Sequence, residues 1–182
     1  MLRPLYLLMF KLFGWRTRGH FPKDIKKYVI AVAPHTSNWD FIVGLAGRSI
    51  FRIRRAMFLG KDSLFKPPFG WFFRWLGGHP VDRSKSHDMV HQVAQLFNTH
   101  DQFILAMAPE GTRKKVEKLR TGFYFIAKAA GVPIVPVGFD FKKKEIVVAD
   151  PLYPTENFDS DMDKLLSFYR SITGKNPELG IS

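Results

Sequence analysis

His35 and Asp40 stand five residues apart in the stretch Ala33-Pro34-His35-Thr36-Ser37-Asn38-Trp39-Asp40. An imidazole beside a carboxylate is the pairing that general-base chemistry uses. The carboxylate accepts from one ring nitrogen, fixes the tautomer and leaves the other nitrogen to take a proton. Within one continuous helix, residues five apart lie about 140° out of register. The two therefore meet only if His35 sits on an incoming loop and Asp40 in a first helical turn. Thr36, Ser37 and Asn38 are all N-cap types and put the break there. Taken by itself, the pair also reads as a capping aspartate beside a surface histidine.

Two more stretches carry groups suited to an anion. In Glu110-Gly111-Thr112-Arg113, the glycine allows close backbone approach, the threonine offers a hydroxyl and the arginine can grip a phosphate through two parallel hydrogen bonds. Lys114, Lys115, Lys118 and Arg120 extend the positive field. Gly78 to Arg83 has the same form, a tight turn followed by an acid and an arginine. Either stretch alone is equally a solvated charged loop. His87 and His91 have a metal-ligating spacing, but Asp88 stands where a zinc protease has its glutamate and no third ligand is near, so they read as a solvated face. Zero cysteines exclude disulfides, thiolate catalysis and Cys-ligated zinc.

The elements that must position these groups follow from periodicity. Residues 28–34 read as a buried strand, and Phe41 to Ile50 as a helix. Ala56 to Leu59 reads as a second strand, and Trp71 to Leu76 as a helix stopped by Gly77-Gly78. Ser86 to Asn98 is helical, Phe103 to Met107 a strand, and Gly122 to Ala130 a helix ended by Gly131. Pro133 to Val137 is a strand whose prolines predict an edge or irregular place. Lys142 to Lys144 is a turn before the strand Glu145 to Val148, and a helix near Asp159 to Ile172 closes the chain. Strands alternate with helices and their apolar runs are continuous, which predicts a single α/β domain: a mainly parallel sheet flanked by helices. His35 then lies at a strand's carboxyl end, where open α/β sheets hold their ligands.

Composition bounds the partners. A hydrophobic fraction of 46% excludes wholesale disorder, while 18 Phe and 4 Trp exceed what a core of this size needs and suit lipid or acyl-chain contact. A formal charge of +12 implies acidic company: anionic membrane, phosphorylated substrates, an acidic carrier protein or nucleic acid. No nucleic-acid-binding module pattern is present, so nucleic acid is not an expected partner. The uncharged run from Pro4 to Phe10 is far short of the roughly 20 residues of a spanning helix. Flanked by Arg3, Lys11, Arg16 and Arg18, it suits a helix lying in the headgroup region, or one packed on the domain's own core. The expected organisation is an amphipathic membrane-surface segment over residues 1–18 and a catalytic domain over 19–182.

His-x4-Asp, Gly-x4-Arg, Glu-Gly-Thr-Arg and Val-Pro-Ile-Val-Pro-Val occur in that order, at His35/Asp40, Gly78/Arg83, Glu110 to Arg113 and Val132 to Val137. In their combination the chain resembles the glycerolipid acyltransferase family typified by 1-acyl-sn-glycerol-3-phosphate (lysophosphatidate) acyltransferase. The blocks span somewhat over half the chain. The resemblance implies transfer of a fatty acyl group from acyl-ACP or acyl-CoA to a lysoglycerolipid hydroxyl, 1-acyl-glycerol-3-phosphate giving phosphatidic acid. It implies His35 as general base, Asp40 as its orienter, and no covalent acyl-enzyme, metal or cofactor beyond the thioester co-substrate. Arg83, Glu110, Gly111, Thr112 and Arg113 match positions linked to the acceptor's glycerol phosphate, and Lys61 is a further candidate there. Val132 to Val137 resembles the block linked to strand packing and acyl-donor binding. A peripheral place on the cytoplasmic face of the membrane follows. The chain departs from the family pattern at Pro34, His79-Pro80, Ala108 and Lys114, none of which removes a catalytic group. These departures leave another lyso-acceptor, such as a lyso-aminolipid, as the alternative enzyme; a basic membrane- or nucleic-acid-binding module is the non-enzymatic one.

Overall fold

Every residue from Tyr28 to Ala33 is apolar because this segment is covered on both sides. Strand β2 (Lys27–Val32) turns Tyr28, Ile30 and Val32 to one face of a sheet and Val29 and Ala31 to the other, the alternation that a pleated strand imposes. The structure, a computed structural model, describes residues 3–53, 56–81, 86–113, 115, 116 and 118–181. The other strands are β1 (Arg16–Arg18), β3 (Ala56–Lys61), β4 (Gly78–Val81), β5 (Phe103–Met107), β6 (Ile134–Asp140) and β7 (Glu145–Val148). The helices are α1 (Arg3–Phe13), α2 (Trp39–Ile50), α3 (Gly70–Trp75), α4 (Ser86–Thr99), α5 (Gly122–Ala130) and α6 (Phe158–Arg170).

The described strands form one seven-stranded sheet in the order β1-β7-β6-β2-β5-β3-β4. Neighbours run parallel except β6 and β7, which are antiparallel. The expectation of a mainly parallel sheet flanked by helices holds. On one face, Val93 and Phe97 of α4, Phe123 and Ile126 of α5 and Leu165 and Tyr169 of α6 pack on Val29, Ala31, Leu105 and Ile134. Phe97 meets Phe103 edge-on with ring centroids 4.7 Å apart. On the other face, Val43 of α2 and Phe10 of α1 pack on Tyr28, Ile30, Val135, Val137 and Ile146. Burying each such side chain stabilises the fold by roughly 1.5–3 kcal/mol, which is what fixes the layers that carry the site.

One expectation is corrected. Pro136 lies not at an edge but in β6, buried along its whole length between β2 and β7. The Val29 and Ala33 N–H groups donate to the Pro133 and Val137 carbonyls, so odd-numbered residues of β6 face β2. Pro136 therefore turns its ring nitrogen to the β7 side, one place past the last β7 pair, Val137 with Val148. No ladder bond is lost there, and its carbonyl still accepts from Ala149 N–H at 2.9 Å.

The first segment divides between two roles. Arg3 Nε donates to the Ile50 carbonyl at 3.2 Å, satisfying an open carbonyl at the end of α2. Phe10, Trp15 and Phe141 form a chain of ring contacts that ties the segment to the end of β6. The opposite side of α1 presents Leu5, Leu8, Leu12 and Phe13 to the outside. Arg16–Arg18, within the segment 1–18, joins the sheet as β1, with Arg16 and Arg18 at 3.1 and 3.5 Å from Glu145. Among the described residues no helix is long and apolar enough to cross a membrane.

Candidate active site

Parallel strands deliver their carboxyl ends to one edge of the sheet. Ala31 pairs with Met107, so His35 and Glu110, a few residues further along β2 and β5, leave the sheet side by side. Lys61 ends β3 opposite Val81 at the end of β4, on the same edge. Between β3 and β6 the strand order also reverses: β5 lies on one side of β2 and the chain then crosses to β6 on the other. A crevice at such a point is where α/β sheets place ligands.

His35 Nδ1 lies 3.0 Å from Asp40 Oδ2. The same oxygen accepts the N–H groups of Thr36 at 2.8 Å and Ser37 at 2.9 Å. The break between loop and helix falls where the spacing requires it. The capping is reversed, however: Asn38 makes no side-chain cap bond, and Asp40 in the first turn reaches back to the loop's N–H groups. Three donors around one oxygen pin the carboxylate, whose residue is only 2% exposed. An Nδ1–H that donates to Asp40 leaves the Nε2 lone pair available. Nucleophile activation needs that arrangement. The Ala33–Pro34 peptide just before it is cis.

Glu110 is 1% exposed, and its Oε2 accepts the His35 backbone N–H at 2.9 Å. It holds the histidine's main chain from behind. Its Oε1 has no partner among the described residues, as has Asp40 Oδ1. Burial pushes the Glu110 carboxyl above the usual carboxylate range, the His35 N–H and charge pull it down, and the Asp40 charge adds to the rise. Gly111 follows at φ +64, a left-handed conformation, and the Arg120 side chain lies against it: a Cβ there would come within 2.9 Å of Arg120 Cδ and Nε. Arg120 N–H also donates to the Pro109 carbonyl at 2.7 Å, folding the loop back on itself. Thr112 is half-buried and Arg113 exposed.

The structure thus brings His35, Asp40 and Glu110 together, and sets Gly111, Thr112 and Arg113 in the loop that leaves Glu110. Lys61 shares the edge by its backbone; its side chain, Arg83, Lys114 and the His87 side chain lie outside the described residues. His91 Nε2 is 3.0 Å from Gln95 Nε2 on an exposed face of α4.

Beneath α2 an apolar cavity of about 270 Å³ runs along the sheet. His35 and Asp40 line it at one end, Phe21, Phe51 and Ile53 at the other, with Gly44, Gly47 and Arg48 along the helix. Burial pulls the Arg48 guanidinium below its usual value, and it donates to the Leu76 carbonyl at the end of α3. Sequence reasoning did not reach this cavity. Its signal was two glycines three apart, Gly44 and Gly47, on the helix face turned to the sheet. Thr36, 2% exposed, was seen only as a possible cap.

The Acyltransferase family model matches residues 16–140, more than half of the chain. The 1-acyl-sn-glycerol-3-phosphate acyltransferase of Haemophilus influenzae is 32% identical over 138 residues, covering 71% of this chain and 55% of that protein. Its namesake from Escherichia coli K12 is 33% identical over 135 residues, covering 69% of this chain and 53% of that one. The chain spans about half the length of these curated relatives. The crystal structure of the 1-acyl-sn-glycerophosphate (LPA) acyltransferase PlsC from Thermotoga maritima covers 93% of this chain and 76% of its own, with a TM-score of 0.58 at 19% identity, a likeness of fold. The matched residues run from β1 through β6 and hold His35, Asp40 and Glu110 on one edge: this chain belongs to the Acyltransferase family.

Proposed function

We propose that the protein transfers a fatty acyl group from acyl-ACP or acyl-CoA to the free hydroxyl of a lysoglycerolipid, with 1-acyl-glycerol-3-phosphate as acceptor and phosphatidic acid as product. The observation that carries this reading is the His35–Asp40 contact of 3.0 Å standing at the mouth of an apolar cavity. The names of the relatives supply the acceptor class. A hydroxyl is a poor nucleophile until a base takes its proton. His35 Nε2 removes that proton as the oxygen attacks the thioester carbonyl. The new C–O bond forms, the C–S bond breaks, and the imidazolium returns the proton to the leaving thiolate. Asp40 stabilises the imidazolium meanwhile. Such a base contributes roughly 10²–10⁴-fold. The acyl chain occupies the cavity beneath α2, where each buried methylene is worth about 0.8 kcal/mol. Thr112 and Arg113 hold the acceptor's phosphate, with Arg83 and Lys61 as further contributors. Glu110, buried behind His35, serves the phosphate site through the loop it fixes.

The protein works at a membrane surface, peripherally and on the cytoplasmic face. Supporting this, α1 exposes Leu8, Leu12 and Phe13, α2 exposes Trp39 and Ile42, and α3 exposes Trp71 and Trp75. α1 and α3 are each hydrogen-bonded to α2, the helix above the cavity. Exposed tryptophans suit the headgroup level. The test supplies purified protein with labelled acyl-ACP or acyl-CoA and a panel of lysolipids, including lysophosphatidate and a lyso-aminolipid, and identifies products by mass spectrometry. Labelled phosphatidic acid is the expected product, absent with folded His35→Ala. An acylated aminolipid alone would move the assignment to that acceptor.

A further inference from the structure

We infer that the segment following α6 belongs to the catalytic scaffold, and that Asn176 is a positioning residue for the His35–Asp40 pair. Residues 34–38 lie between the end of β2 and the start of α2, outside any strand ladder, so something other than the sheet must hold them. Glu110 grips the His35 N–H from below. From the other side comes the chain's C-terminal stretch, which lies beyond the matched residues 16–140.

That stretch touches the loop and its strand at successive points. Tyr169 OH, fully buried, donates to the Ala31 carbonyl at 2.8 Å. Gly174 packs so closely that a Cβ there would stand 2.8 Å from Thr36 Oγ1 and 3.2 Å from Pro34 Cγ. Asn176 N–H donates to Thr36 Oγ1 at 3.1 Å, and Asn176 Nδ2 donates to the Thr36 carbonyl at 2.9 Å. Thr36 is thereby held on both sides, since its own N–H points to Asp40 Oδ2.

The decisive feature is the peptide between Thr36 and Ser37. Its carbonyl accepts from Asn176 Nδ2, and its N–H donates to Asp40 Oδ2 at 2.9 Å. A peptide group is planar, so fixing the carbonyl fixes the direction of the N–H. Asn176 thus aims one of the three donors that gather on the oxygen holding His35 Nδ1. The tail is anchored independently of the loop. The Phe141 N–H donates to the Thr173 carbonyl at 2.8 Å, and Ile172 fills the space over Gly138, where a Cβ would meet Ile172 Cγ1 at 2.6 Å. The clamp therefore has a fixed base on β6.

The test uses Asn176→Asp in the full chain. This nearly isosteric change keeps the backbone N–H to Thr36 Oγ1 but replaces the donor facing the Thr36 carbonyl with an acceptor. Its kinetic arm rests on the acyl transfer proposed above. Misplacing a catalytic group by about 1 Å costs on the order of a hundredfold, so kcat should fall by roughly ten- to a hundredfold with the acceptor KM unchanged. A second arm needs no substrate. In ¹⁵N-labelled protein, the Nδ1–H signal of His35, assigned by its loss in His35→Ala, should exchange with water faster in Asn176→Asp and in Asn176→Ala than in the wild type. Wild-type kcat with unchanged exchange in both variants would overturn the inference. So would a loss of activity that matches a loss of folded protein while the Nδ1–H exchange of the folded fraction stays as in the wild type. If the wild type itself acylates no lysolipid, the exchange arm still decides the clamp, and the two failures are told apart.

Discussion

Asp40 and Glu110 are both buried carboxyl groups facing one histidine, and their partners assign them different work. Asp40 collects the imidazole and two backbone N–H groups on one oxygen. Asp40→Asn keeps the shape but removes the charge opposite the imidazolium and disturbs the tautomer. In triads of this geometry such a change costs about 10⁴ in kcat. Steady-state kinetics should show a loss of roughly 10³–10⁴ with the acceptor KM little altered; a loss under tenfold would remove Asp40 from the mechanism. Glu110 instead bonds the His35 backbone and leaves Oε1 without a partner among the described residues, and burial raises its pKa above the ordinary glutamate value. A group raised on folding stabilises the fold fully below its unfolded pKa, and that contribution is lost as pH rises through the folded value. Glu110→Gln keeps an oxygen for the His35 N–H and does not titrate. Between the two pKa values, wild-type stability should fall relative to the variant by about 1.4 kcal/mol per pH unit. Denaturant unfolding of both proteins across that range checks it, and parallel curves would refute it. The histidine, the aspartate and the loop of Glu110 were all legible as residue types and spacings. The ring contact between His35 and Asp40 was legible too, but the backbone N–H groups of Thr36, Ser37 and His35 that bind the two carboxylates were not, because no side-chain pattern reveals them.

At the scale of elements, α2 does two jobs. Its first turn carries Asp40, and its inner face, with Gly44 and Gly47, roofs the cavity. A Cβ on Gly44 would meet Phe139 Cζ at 3.6 Å, an ordinary contact, whereas one on Gly47 would meet Ile146 Cδ1 at 2.9 Å and force a shift. Gly44→Leu should therefore fold and occupy cavity volume, displacing the distal methylenes of a long acyl chain. With about 0.8 kcal/mol per methylene, kcat/KM for long-chain donors should drop roughly fourfold for each carbon excluded, moving the preference to shorter chains. Competition among donors of graded length measures this, and an unchanged preference would place the acyl chain elsewhere. The long elements were readable in advance because continuous apolar runs mark strands covered on both faces. β1 and β4 were not. The first is three exposed residues held through Glu145, and the second contains His79 and Pro80, so neither has an apolar pattern to see. Pro136 misled for the converse reason: the rule that excludes proline from inner strands lapses where the neighbouring strand has already ended.

For the whole molecule, the apolar surface and the charge work at different ranges. At the proposed membrane surface, a formal charge of +12 would draw the protein to anionic lipid, each cation near the surface adding about 1 kcal/mol within a Debye length. In that proposal, exposed apolar side chains then hold it there. Trp71 and Trp75 on α3 are 71% and 73% exposed, so replacing them opens no core. The same holds for Leu8 and Leu12 on the outer side of α1, whose inner side is anchored through Arg3 and Phe10. Large apolar side chains contribute roughly 1.5–3 kcal/mol each when taken from water. Trp71→Glu with Trp75→Glu should therefore lower partition onto vesicles containing anionic lipid by about a hundredfold or more, and Leu8→Glu with Leu12→Glu should do likewise. Sedimentation with vesicles at low and high salt separates the contributions. In the wild type, salt should weaken binding without abolishing it; in the doubly charged variants, the residual binding should vanish at high salt. If only one pair of substitutions has this effect, that helix is the anchor and the other faces water. If neither does, the basic surface alone carries the attachment and the exposed aromatics need another explanation.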